Sequence, residues 1–108
     1  MDNIGIDMVY IPEFQRRLDA SGGSMAVFID AELKQNSRVE SLAGIFAAKE
    51  AYVKALGKKI DWHDVWVEKE SSGKPLLFSS TLDKNAKANV SISHAGEYAI
   101  AIVLVDNP

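Results

Sequence analysis

The residues most able to do chemistry are Asp7, Glu50, Lys54 and His94, which can carry charge, move protons or hold a cation. Glu50 falls four residues after Phe46 and three before Val53, within the apolar stripe that Leu42, Phe46, Val53 and Leu56 would form on a helix. A carboxylate there needs a cation or several donors, because an unpaired buried charge is costly. Lys54, at the favourable i+4 spacing, offers an ordinary helix pair worth about 0.3–0.5 kcal/mol. Asp7 poses the same question on a strand, since aspartate is depleted there and Ile6 and Met8 flank it. One hard divalent cation shared by Asp7 and Glu50, with water and phosphate oxygens completing its shell, would account for both placements. A strand-end cap would account for Asp7 alone. His94, beside Ser91 and Ser93, reads from its surroundings as a hydrogen-bonded or solvent-facing strand-end side chain.

Several other chemistries are disfavoured. With no cysteine and with His63 far from His94, a zinc site lacks ligands, and Ser91 and Ser93 lack the glycines of a nucleophile elbow. Gly73-Lys74-Pro75 is too short for a Walker loop and reads as a turn, while Trp62 and Trp66 suit packing better than base stacking. Twelve Lys and Arg against fifteen Asp and Glu give a formal charge of −3, which speaks against nucleic acid or an anionic membrane as the main partner. The absence of cysteine agrees with a reducing compartment. Asp2 and Asp7 stand where a signal peptide would be basic and apolar, and no apolar run approaches the roughly 20 residues of a membrane span. The expectation is a cytoplasmic protein.

At 47% hydrophobic and 25% charged residues, the 108-residue chain has the composition of one soluble domain, taken as residues 1–108. Ile4, Ile6, Met8 and Tyr10 alternate with other residues up to Pro12, predicting a first strand that contains or ends at Asp7. Pro12, Phe14 and Leu18 predict a helix that Ser21-Gly22-Gly23-Ser24 terminates, and a short helix is expected from about Ile29 to Lys34. The strongest helix runs from about Val39 to Leu56, with Gly57 as its stop. A hairpin follows through Trp62–Glu70 and Leu76–Phe78, then a short helix from Ser80, Thr81 or Asp83 to about Ala88. Val90–His94 and Tyr98–Val105 predict a second hairpin around Ala95-Gly96-Glu97, giving an α+β fold in which an antiparallel sheet packs on one long helix and shorter helices.

Four segments, in order, carry a family resemblance: Gly5-Ile6-Asp7, the run from Leu42 through Phe46, Lys49, Glu50 and Lys54 to Gly57, then Gly73-Lys74-Pro75, and Ser91-Ile92-Ser93-His94 with Tyr98-Ala99. Together they resemble the small 4′-phosphopantetheinyl transferases of the holo-acyl-carrier-protein synthase type, over nearly the whole chain. The resemblance implies transfer of 4′-phosphopantetheine from coenzyme A to a serine of an apo acyl carrier protein, leaving 3′,5′-adenosine bisphosphate. It implies Asp7 and Glu50 as magnesium ligands and Asp7, Glu50 and Lys54 as catalytic residues. The serine proton would be removed either by Glu50 through a water on the cation or by a water that Asp7 positions. Coenzyme A would be contacted by Lys49, Lys54, Gly57, Ser93 and His94, with Gly73 and Pro75 beside its adenine. A homotrimer with active sites between subunits is implied as well, which would cover the apolar Tyr98–Val105 strand.

Three positions depart from the family pattern. Ile45 stands where an arginine usually meets coenzyme A phosphate, and Glu13 where an arginine usually meets the acidic carrier protein, leaving Arg16 and Arg17 to make that contact. Lys58-Lys59-Ile60-Asp61 replaces a glycine-containing turn, and the lysine pair either supplies phosphate-binding charge or caps the helix dipole. Ile45 and Glu13 favour an alternative in which the chain is a non-catalytic homologue that binds a carrier protein or nucleotide.

Overall fold

The segment around residue 45 sets the architecture, because its alanines and glycine let a helix lie very close to a sheet. The computed structural model describes residues 2–23 and 25–107; Ser24, expected in the turn after the first helix, lies outside them. The helix α3 (Val39–Leu56) is buried at every position from Leu42 to Lys49. An apolar stripe on one side was expected, yet Val53 and Leu56 are only partly covered while Ala43, Ala47, Ala48 and Ala51 are fully enclosed. The sheet takes the alanine side and other elements take the remainder, so the flanks close as tightly as the stripe.

That sheet has three antiparallel strands, with β5 (Tyr98–Asp106) central between β1 (Asp2–Tyr10) and β4 (Lys87–Ala95). Burial alternates strictly along β5, and Ala99, Ala101, Val103 and Val105 face α3. Ile100, Ile102 and Leu104 face outward beside Met8, Ile6 and Ile4, their register partners on β1. The result is an exposed apolar sheet face.

Helix α1 (Ile11–Ala20) starts with proline in its first turn and buries Ile11, Phe14 and Leu18. Phe14 stacks on Phe46 at 5.6 Å and meets Phe28 edge-on at 6.1 Å. Helix α2 (Asp30–Gln35) and a 3₁₀ turn (Trp62–Asp64) pack nearby. The hairpin β2 (Val65–Lys69) and β3 (Pro75–Ser79) forms its own two-stranded sheet.

The short helix expected between Ser80 and Ala88 is absent. Residues 80–86 form turns, with the Ala86 N–H bonded to the Asp83 carbonyl at 3.0 Å, and Lys87 and Ala88 already pair with Asp106 and Val105. Ladder bonds to β5 outcompete a helix too short to sustain itself.

Candidate active site

Two glycines bring the strands onto α3. A methyl group at Gly5 would lie 1.9 Å from the Ala51 carbonyl oxygen and 2.7 Å from the Ala55 nitrogen, so β1 reaches the helix only because residue 5 has no side chain. Asp7, two residues on, shares the inner face of β1. It therefore meets α3 between Glu50 and Lys54, the residues flanking Ala51. At Gly44 a methyl would lie 2.8 Å from Ile92 Cγ2 and 3.0 Å from His94 Nε2. The two contacts dock β1 and β4 on the same helix and create two separate sites.

In the first, Lys54 Nζ donates to Asp7 Oδ1 and to the Ile6 carbonyl, both at 3.0 Å. The sequence offered Lys54 as an i+4 partner for Glu50; instead it pairs across elements with Asp7, whose side chain is 14% exposed. Among the described residues the Glu50 carboxylate has neither ion pair nor hydrogen bond. Partial burial pushes its pKa up, the neighbouring Asp7 charge adds to that shift, and Lys54 and Arg17 oppose it. Two carboxylates thus share one field with a single lysine paired to one of them. The adjoining cleft, of about 470 Å³, is lined by Glu50, Val53, Lys54, Lys59, Ile60 and Trp62.

Oxygen donors with incomplete charge compensation suit a hard divalent cation. Among the described residues no three or more His, Cys, Asp or Glu side chains cluster, so the chain offers two carboxylates. That number fits magnesium, which keeps waters and takes phosphate oxygens, and not a closed zinc site.

The second site is a notch of about 140 Å³ lined by Ser41, Ile45, Lys69, Gly73, Pro75, Ile92 and His94. The structure brings Gly73, Pro75 and His94 into one lining. His94 Nε2 lies 2.8 Å from the Glu40 carbonyl, which can only accept, so Nε2 carries the proton and Nδ1 turns elsewhere. Cleft and notch share no lining residue. Ile45 and Glu50, five residues apart, are about 140° apart around α3.

Two expected coenzyme A contacts are placed elsewhere. Lys49 is wholly buried: its Nζ lies 2.7 Å from Glu32 Oε1 and donates to the Val27 carbonyl at 2.6 Å and the Trp62 carbonyl at 3.2 Å. Burial lowers its pKa and Glu32 opposes that shift. Its ammonium is saturated inside the protein, so its role here is structural. Ser93 pairs with Ile100 on the outer sheet face, whereas His94 pairs with Ala99 on the inner one. Strand alternation sends these neighbours to opposite sides, and Ser93 does not line the notch. Gly57 caps α3 in a left-handed conformation, φ 71°, at the head of the loop that carries Lys59 and Ile60 into the cleft.

Residues not singled out for the site include Lys69, in the notch, and Trp62, in the cleft. Trp62 rests 6.2 Å from the Phe46 ring, a placement that no sequence spacing announces. Arg16 is exposed on α1. Arg17 sits with its guanidinium 5.5 Å over Phe46, in a hollow shared with Glu13.

A helix clasped between two glycine contacts, with a carboxylate cleft on one side and a loop-edged notch on the other, defines a small α+β class with two separate sites on one helix. The family model described as the 4′-phosphopantetheinyl transferase superfamily matches residues 3–103. A holo-[acyl-carrier-protein] synthase of Bacillus cytotoxicus is 33% identical over 97% of this chain and 95% of its own length. One from Geobacillus sp. is 43% identical over 69% of this chain; that match spans 65% of the relative, just under two thirds of its length. Among solved structures, the ACPS–CoA complex of Chronobacterium ammoniagenes superposes with a TM-score of 0.85 at 28% identity, covering 100% of this chain and 98% of that one. The holo-(acyl-carrier-protein) synthase of Bacillus anthracis in complex with CoA (3′,5′-ADP) gives 0.82 at 33% identity, covering 95% and 94%. The chain belongs to the 4′-phosphopantetheinyl transferase superfamily, in its small holo-acyl-carrier-protein synthase branch. Among the described residues no helix is long and apolar enough to cross a membrane.

Proposed function

We propose that this protein transfers 4′-phosphopantetheine from coenzyme A to a serine hydroxyl of an apo acyl carrier protein, yielding the holo carrier and 3′,5′-adenosine bisphosphate. The observation that carries the reading is the approach of Asp7 to Glu50 and Lys54, enforced by the contact of Gly5 with α3. Asp7 and Glu50 would hold magnesium, which when bound supplies charge neutralisation and orientation at the diphosphate. Lys54 donates hydrogen bonds at the edge of the cleft, where a phosphate oxygen can replace or share its bond to Asp7. The proton of the attacking hydroxyl would be taken up by a water held beside Glu50 or positioned by Asp7. His94, Gly73 and Pro75 form a separate subsite for the nucleotide end.

The two sites lie on different sides of α3, and the outer face of β1 and β5 is uncovered within one chain. The uncovered face supports association through it, and the family resemblance favours a homotrimer with active sites between subunits. Arg16 and Arg17 would meet the acidic carrier, acting in the cytoplasm.

A second reading, a non-catalytic binder, is favoured by Ile45, which is 1% exposed and places an apolar wall in the notch where the family has an arginine. Intact-mass spectrometry separates the two. A panel of apo carrier proteins is incubated with the protein, coenzyme A and magnesium, beside a chelator control and a competent transferase. Metal-dependent gain of one phosphopantetheine on a carrier is the expected outcome. Failure on carriers that the control enzyme converts favours the binder.

A further inference from the structure

The cleft beside Glu50 holds two lysines in unlike circumstances. Lys54 is engaged, bonded to Asp7 and to the Ile6 carbonyl. Lys59 lines the same cavity, and among the described residues its ammonium has no hydrogen bond or ion pair. Lys58, its neighbour, does not line the cleft. The structure therefore separates two residues that the sequence presents as an equivalent pair.

The loop bearing Lys59 is held at both ends. Gly57 closes α3 with its N–H on the Val53 carbonyl at 3.0 Å. Trp62 is fixed by its carbonyl, which accepts from buried Lys49 at 3.2 Å, and His63 Nε2 lies 2.7 Å from the Ala26 carbonyl. Lys59 thus extends from an anchored segment over a cavity whose far wall, Val53, Ile60 and Trp62, is apolar. An anion entering beside Glu50 meets like charge, and Lys54 is already shared with Asp7. A divalent cation on the two carboxylates would offset that repulsion, and the unpaired Lys59 adds a further positive charge in the lining itself.

We propose that Lys59 is a binding residue for the donor, contacting its diphosphate while the apolar wall takes the adjoining arm of the molecule. The inference rests on the transferase reading and goes beyond it, because it assigns binding charge to a position where the family pattern has a glycine-containing turn. Lysine here adds phosphate-binding charge in the cleft and leaves the apolar notch at Ile45, on the other side of α3, as it is.

The test is calorimetric titration of coenzyme A, with magnesium and without carrier, into the unaltered protein and its Lys58→Ala, Lys59→Ala and Lys59→Arg variants, alongside melting curves and steady-state kinetics. Lys59→Ala is expected to weaken binding about tenfold. The same variant should raise KM for coenzyme A with kcat little changed, while its melting temperature stays as in the unaltered protein. Lys59→Arg should restore binding, and Lys58→Ala should match the unaltered protein. Unchanged binding in Lys59→Ala, or equal losses in the two alanine variants, overturns the inference and leaves the transferase reading intact. If the unaltered protein does not bind coenzyme A, both fall together.

Discussion

Lys49 and Glu50 are adjacent in the chain, and the ionic surroundings of the two differ in kind. Lys49 lies in the interior with every donor direction answered by Glu32 and two carbonyls, and Glu32 in turn accepts from the Ile29 N–H at 3.0 Å and the Val67 N–H at 2.9 Å. Glu50, one residue on, lines the cleft in the field of Asp7 and lacks a hydrogen bond or ion pair among the described residues. The first arrangement joins α2, α3 and β2 and has no valence left for a ligand. The second leaves negative charge under-compensated at the edge of solvent, a state a cation would relieve. The comparison teaches that a charged residue in a family motif is assigned its role by what completes its coordination, and only the fold reveals that.

Breaking the buried pair should have the largest effect. Lys49→Ala leaves the Glu32 carboxylate enclosed without its cation, and a stability loss of about 3–5 kcal/mol is expected, measured by urea unfolding. If the loss is within a few tenths of that of a surface variant, Lys49 is not saturated internally and returns to the list of cofactor contacts. Asp7→Ala and Glu50→Ala come next and act in the opposite sense. Transfer should fall by about two to three orders of magnitude, while unfolding stays close to that of the unaltered protein. Retained transfer would remove the carboxylate pair from the mechanism.

The smallest effect sharpens the comparison by pH. Because the Glu50 pKa is raised in the folded state, the folded protein binds that proton more tightly than the unfolded chain does. The corresponding stabilisation is present in acid and is lost as pH rises through the raised value. Glu50→Gln cannot titrate. Its melting temperature should therefore equal or trail that of the unaltered protein in acid and exceed it by a few degrees at most above neutrality. Magnesium should narrow the difference at neutral pH by raising the melting temperature of the unaltered protein more than that of Glu50→Gln. Parallel melting curves across pH would show that the Asp7–Glu50 field is too weak to matter.

Much of this was legible in the sequence. Alternation in 4–10 announced β1, the nearly continuous apolar run 98–105 announced β5, and the Gly57 stop fixed the end of α3. Asp7, Glu50 and Lys54 stood out because charged residues interrupt apolar patterns there. The role of Lys49 was not legible, since its partner Glu32 lies in a six-residue helix among Asp30, Lys34 and Gln35 and looks like surface. Its burial depends on β2, more than thirty residues away, whose Val67 N–H it satisfies. Ser93 stands apart from His94 for a simpler reason, as adjacent strand residues send their side chains to opposite faces. The turns at 80–86 were read as helix because local propensity says nothing of the ladder that Lys87 and Ala88 join.

The contact at Gly5 bears on how this chain tolerates random change. Asp7 can be lost by altering its charge, but its placement beside α3 is equally exposed to a single methyl group two residues earlier, since even alanine would have to displace backbone of α3. A survey of substitutions scored by function would thus rank a residue with no side chain beside the charged ones. The vulnerable footprint of the cleft extends along the backbone beyond the groups that perform the chemistry.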